Sequence, residues 1–118
     1  RQVWRVVRQR VVDSCASVID IDYLNTSLVP QLNRNIAEHS IYDYIENQLN
    51  LSISHAFKEI TIDNATDQDK ILIDLGKDQH VVCIRSKVYL TNGKQFQFTE
   101  SRHKLEKFKF VDYAKRRH

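Results

Sequence analysis

The chain contains no methionine and only two glycines, Gly76 and Gly93, in 118 residues. Phosphate cradles of the GxGxxG and P-loop kinds need several glycines in one turn, so both are excluded. Two cysteines, Cys15 and Cys83, cannot build a Cys-rich zinc site, and no C-x-x-C occurs. His39, His55, His80, His103 and His118 share no metal-ligand spacing, so neither metal nor cofactor is expected. There is no GxSxG nucleophile motif, no apolar run of membrane-spanning length and no signal-peptide pattern. Reduced thiols in a cytoplasmic protein are the expectation. Lys and Arg number 18 against 15 Asp and Glu, and a net charge of +3 is no nucleic-acid footprint by itself. The missing methionine, with Arg1 already inside strand-like sequence, reads as a piece of a longer protein. Its function would then be shared with a second domain.

What is present suits one domain: 42% hydrophobic residues are enough to bury a core without staples. Residues 2–12 are Val-rich with a Trp and read as a strand, Asp13-Ser14 as a turn, and residues 16–24 as its hairpin partner. The loop 25–30 holds the single proline, and residues 31–38 read as a short helix. Residues 40–49 have the pattern of a helix, with a capping-box-like start at Ser40-Ile41-Tyr42-Asp43 and a stripe of Ile41, Tyr44, Ile45 and Leu49. A third strand over 52–63 is followed by helix-start residues 64–69 and a short helix ending at Gly76. Residues 80–91 and 94–101 read as a hairpin around Asn92-Gly93, and residues 108–113 as a last strand. Hairpins interrupted by helices predict an α+β fold on an antiparallel sheet.

Several polar residues stand where strand alternation would place apolar ones. Arg8 and Arg10 share a face with Trp4, Val6 and Val12. Two like charges at i and i+2 need an anion between them. Either this end of the strand is solvated, or each arginine pairs with a nearby Asp, or the two form a clamp for a phosphate or carboxylate. Asp20 and Asp22 share a face with Ala16 and Val18, as salt-bridge partners or as acceptors for sugar hydroxyls. Gln95, Gln97, Thr99, Ser101 and His103 share a face opposite Phe96 and Phe98. That row is a solvent face or a polyol-binding surface. Ser40, at a helix start, is a plain N-cap or also lines an anion site.

Three stretches carry a resemblance to a known family. They are Arg8-x-Arg10 with the following hairpin, Ser40-Ile41-Tyr42-Asp43-Tyr44-Ile45, and the closing run from Phe98-Thr99-Glu100-Ser101-Arg102-His103 to Phe110. Together they resemble the UTRA effector-binding domain, the C-terminal half of HutC-subfamily GntR transcription regulators, over essentially the whole chain. Within the family the likeness is nearest to the branch that represses trehalose operons in Gram-positive bacteria. The resemblance implies a chorismate-lyase-like fold, an antiparallel sheet flanked by helices, with residues 1–118 as one effector-binding domain. It implies an upstream winged helix-turn-helix domain that binds operator DNA, a homodimer, and trehalose-6-phosphate as inducer. Arg8 and Arg10 match the family's phosphate-holding pair, joined by Ser40. Asp20, Tyr42, Gln97 and His103 fall where relatives contact the sugar. Gln97 and His103 replace the Glu and Tyr of amino-sugar-phosphate binders, which suits a sugar without an ammonium group. An enzyme of the same fold, acting on a small carboxylate such as chorismate, is the competing reading. It lacks an evident acid–base pair.

Overall fold

The computed structural model describes residues 3–26, 28 and 43–116. Five strands form one wholly antiparallel sheet in the order β1-β2-β5-β4-β3. They are β1 (Val3–Val12), β2 (Cys15–Asn25), β3 (Ile53–Asn64), β4 (His80–Leu90) and β5 (Gln95–Lys104). The expected strands over 2–12, 16–24, 52–63, 80–91 and 94–101 are all present, with ends shifted by three residues at most.

Turn chemistry sets the hairpins. Asp13 and Ser14 both take left-handed backbone angles, φ 51° and 62°, and such two-residue loops match the twist of the paired strands. Gly93 at φ 85° turns β4 into β5, where the Asn92 side chain accepts from the Lys94 N–H at 2.9 Å.

Helical elements cover opposite faces of the sheet. Of the helix expected over 40–49, the described part is Asp43 in α-helical conformation followed by a π-helical turn, Tyr44–Gln48. Its Tyr44 and Ile45 are buried with Leu24, Val88, Leu90 and Phe96, and Leu49 packs beside them. On the other face, helix α1 (Asp67–Leu72) and the residues after it bring Ile73 and Leu75 onto Ile19, Ile21 and Val81. Helix α1 starts with a reciprocal capping box. Thr66 Oγ1 accepts from the Asp69 N–H, and the Asp69 carboxylate accepts from the Thr66 N–H.

Two expectations are corrected. Residues 108–113 form no strand: β5 continues to Lys104, a 3-10 turn follows at Leu105–Lys107, Phe108 packs its ring on His103, and residues 109–116 are exposed without regular structure. Both edges of β5 are already taken by β2 and β4, so the segment finds no ladder beside it. Phe96 does not share the surroundings of Phe98. The register slips at Val88/Tyr89, which makes Phe96 the extra residue of a bulge, and it joins the Leu24 cluster. Phe98 instead packs on Tyr23, ring centroids 5.9 Å apart. The predicted helix over 31–38, the helix start at Ser40, and Tyr42 lie outside the described residues.

Candidate functional site

The ladder registers assemble a polar strip on one face of the sheet. Arg8 lies opposite Asp20, Asp20 opposite Ser101 and Ser101 opposite Ile84. The next row toward the Tyr44 turn runs Val6, Asp22, Thr99, Ser86, and the next on the other side Arg10, Val18, His103, Val82. Side-chain alternation, as expected within each strand, combined with this register puts Arg8, Arg10, Asp20, Gln97 and His103 on a single face.

The charges on the strip compensate one another. Arg8 Nη2 donates to Asp22 Oδ2 at 2.7 Å, and Arg10 Nε is 2.7 Å from Asp20 Oδ2. Each arginine thus has an aspartate partner, as one reading of the pair expected. The Asp22 side chain is 5% exposed, and burial pushes its carboxyl above the ordinary value of 3.8 even though Arg8 pulls it down. Gln97 Nε2 donates to the other Asp22 oxygen at 3.0 Å, so the carboxylate is held from two strands.

A second chain of hydrogen bonds runs along the strip. Ser101 Oγ donates to Asp20 Oδ1 at 2.9 Å, and His103 Nε2 lies 2.8 Å from Ser101 Oγ. Because the hydroxyl spends its one proton on Asp20, the imidazole carries its proton on Nε2 and donates it. Nδ1 is left as an acceptor. Burial holds His103 below its ordinary 6.5, and the Arg10 charge adds to that, so the ring is neutral at pH 7. A groove of about 350 Å³ adjoins it, lined by Arg10, Val18, Ile84, His103, Phe108 and Phe110.

Three buried side-chain atoms among the described residues have no hydrogen-bond partner: Arg8 Nε, Ser86 Oγ and Gln97 Oε1. All three belong to this strip. Alternation marks Asp22 as a salt-bridge partner or sugar acceptor and Ser101 as part of the polar row of β5, but it does not single out Ser86. Asp22 and Ser101 share the parity of their neighbours, whereas Ser86 joins only through the β4–β5 register. Ser40 and Tyr42 lie outside the described residues. No group of three or more potential metal ligands occurs among the described residues, and none of their helices is long and apolar enough to cross a membrane.

On the opposite face, a compact ion network ties α1 to the sheet. Arg102 Nε bonds both Asp69 oxygens at 2.8 and 3.0 Å, and Arg102 Nη1 reaches Glu100 at 2.6 Å. Arg85 pairs with Asp63 at 2.6 Å. The Arg102–Asp69 pair is anchored in the fold: Asp69 is fully buried and Arg102 is 5% exposed.

The profile of the UTRA domain family matches residues 1–109. The chain belongs to the UTRA domain family. It is 47% identical over 114 residues to the HTH-type transcriptional regulator TreR of Bacillus subtilis, spanning 97% of this chain and 48% of that protein. It is 27% identical to the HTH-type transcriptional repressor NagR of the same species, spanning 97% of this chain and 47% of that protein. The chain thus spans about half the length of the curated relatives it matches. The structure of the B. subtilis trehalose repressor (TreR) effector binding domain superposes with a TM-score of 0.89 at 46% identity, covering 98% of this chain and 81% of that one. A GntR-family regulator from Bacillus cereus shares the fold at 23% identity, with a TM-score of 0.88 over 96% of this chain and 79% of that one. This UTRA chain is an effector-binding domain of the transcriptional-regulator kind.

Proposed function

We propose that this UTRA domain senses a sugar phosphate, trehalose-6-phosphate foremost, as the inducer of a bacterial transcriptional repressor. The operator would be bound by a winged helix-turn-helix domain N-terminal to residue 1, and two copies of the UTRA domain would pair as a homodimer. Arg8, Arg10 and Ser40 take the phosphate. Asp20, Tyr42, Gln97 and His103 take sugar hydroxyls. The domain binds and does no chemistry.

One observation carries this reading. Among the described residues, the three unpartnered buried polar atoms all lie on one strip. Each costs about 1–3 kcal/mol while unpaired. Arg8 Nε is a donor, Gln97 Oε1 an acceptor, and Ser86 Oγ is both. A ligand able to answer all three needs hydroxyls, and an anionic group suits the arginine end. Asp20 and Asp22 hold the guanidinium groups in place beforehand. The likeness to TreR supports trehalose as the sugar.

Calorimetric titration of the chain with trehalose-6-phosphate, trehalose, inorganic phosphate and a chorismate-like acid tests the proposal. Trehalose-6-phosphate should bind tightest. Each charge-assisted bond contributes about 1.5–3 kcal/mol, so Arg8→Ala or Arg10→Ala should weaken it at least about tenfold. Equal binding of trehalose with and without its phosphate would refute the clamp. Preference for the acid would favour an enzyme. Gln97→Ala and His103→Ala should change which sugar is preferred. Sedimentation at micromolar concentration should give about twice the 13.9 kDa monomer mass, since exposed sheet edges are covered by pairing.

A further inference from the structure

The chain leaves β5 through the 3-10 turn at Leu105–Lys107, and Phe108 packs on His103. Beyond it, Phe110, Val111 and Tyr113 are 68%, 74% and 84% exposed. Three large apolar side chains on irregular, exposed backbone gain nothing from their own chain. Residues 108–113 have the composition and length of a strand, and no ladder.

The sheet ends in two edges, β1 and β3. β3 is 12 residues long, is bonded to β4 alone among the described residues, and exposes Phe57, Ile60 and Ile62. An edge of that length and apolarity is a template for a further strand. Charge chooses between the two edges. In the tail, Lys109, Lys115 and Arg116 outnumber Asp112. β1 carries Arg5, Arg8 and Arg10 and no acid, whereas β3 carries Asp63 and an exposed Glu59 against Lys58. Like charges repel across a ladder and opposite ones attract, so the tail suits β3. Within one chain β4 stands between the root of the tail and β3. Two copies supply two tails and two edges, and a two-fold axis satisfies both pairings at once. Resting on the homodimer of the reading above, we infer that residues 108–113 pair as an added strand on the β3 edge of a second copy. Each copy lends its tail to the other.

Sedimentation equilibrium of the wild-type chain and three variants tests this. Removal of residues 109–118 leaves Phe108 on His103. The double variant Val111→Pro/Asp112→Pro deletes one ladder donor whichever way the strand faces, because alternate N–H groups point to one neighbour. It serves if truncation perturbs the fold. Ile60→Lys/Ile62→Lys adds positive charge to the accepting edge. Each variant should dimerise at least about tenfold more weakly, with its far-ultraviolet circular dichroism retained. The proline and lysine variants are then mixed. In the mixed dimer one of the two pairings joins an intact tail to an intact edge, so the mixture should dimerise at a concentration where neither variant does alone. Unweakened dimers in the tail or edge variants, or a mixture no tighter than its components, would overturn the strand exchange while leaving the homodimer standing. A monomeric wild type would overturn the two together.

Discussion

Arg8 pairs with Asp22 at 2.7 Å, one row diagonal to Asp20, the residue directly opposite it in the β1–β2 ladder. Arg10 takes Asp20 in the same diagonal sense. Both arginines therefore lean the same way along the sheet, and the like charges of β1 are compensated before any ligand arrives.

This pairing sets the sign of a stability change. Read alone, two arginines at i and i+2 suggest that removing one relieves repulsion and stabilises the unliganded chain. With Asp22 buried behind Arg8, Arg8→Ala should instead destabilise. The Arg8 side chain is 40% exposed, so the loss should be about 1–3 kcal/mol, below that for a fully buried pair. Urea unfolding measures it, and adding Asp22→Asn should recover part of the loss. A rise in stability in the single variant would show that repulsion dominates.

The Arg102–Asp69 pair should matter more. Both side chains are almost wholly buried, and Asp69 also caps helix α1. Burial opposes the Arg102 charge, but the hydrogen bonds to Asp69 and Glu100 outweigh it and raise its pKa. Arg102→Ala leaves Asp69 buried without its ion-pair partner and should cost about 3–5 kcal/mol. Denaturant unfolding should show this with sugar-phosphate specificity unchanged in whatever fraction remains folded.

His103 predicts a pH dependence. Burial, then Arg10, lowers its folded pKa below the 6.5 of the unfolded chain. Between the two values the unfolded chain binds more protons, so stability falls as pH drops below about 6.5. Above that, this contribution is constant. His103→Gln should flatten the thermal midpoint across that window. A wild-type midpoint insensitive to pH there would contradict the neutral, half-buried ring.

The two cysteines should differ in reactivity. Burial, then the charge of Glu100, pushes the Cys83 thiol up to about 11. Cys15 is partly exposed at the start of β2. At pH 8 a thiol reagent should label one site per folded chain, at Cys15, and both only after denaturation. Peptide mass mapping identifies the site, and rapid labelling of Cys83 in the folded chain would be the contrary result.

Local pattern carried much of this architecture. Alternation located the five strands, and the Asp13-Ser14 and Asn92-Gly93 turns located two hairpins. It failed at Phe108 to Tyr113, whose apolar alternation is as strand-like as that of β5, because both edges of β5, the strand it follows, are already paired. It failed at Phe96, because a bulge is set by the neighbouring strand and leaves little local trace. Arg102 drew no notice beyond its place in a family motif. Its partner Asp69 lies 33 residues away, and only the Thr66-x-x-Asp69 spacing hinted that Asp69 would be engaged.

The sequence by itself determined which residues share a face, since side-chain direction alternates along any strand. Arg8 with Arg10, Asp20 with Asp22, and Gln97 with His103 follow from that alone. Only the tertiary structure decided that these three pairs meet. Placing β5 beside β2 brings Gln97 to Asp22 across 75 residues of chain and Ser101 to Asp20 across 81. It also decided that Ser86 of β4 joins the row, opposite Thr99. Local periodicity reaches only a few residues. Strand order and register are chosen by which packing buries Leu24, Val88, Leu90 and Phe96 on one face and Ile19, Ile21 and Val81 on the other.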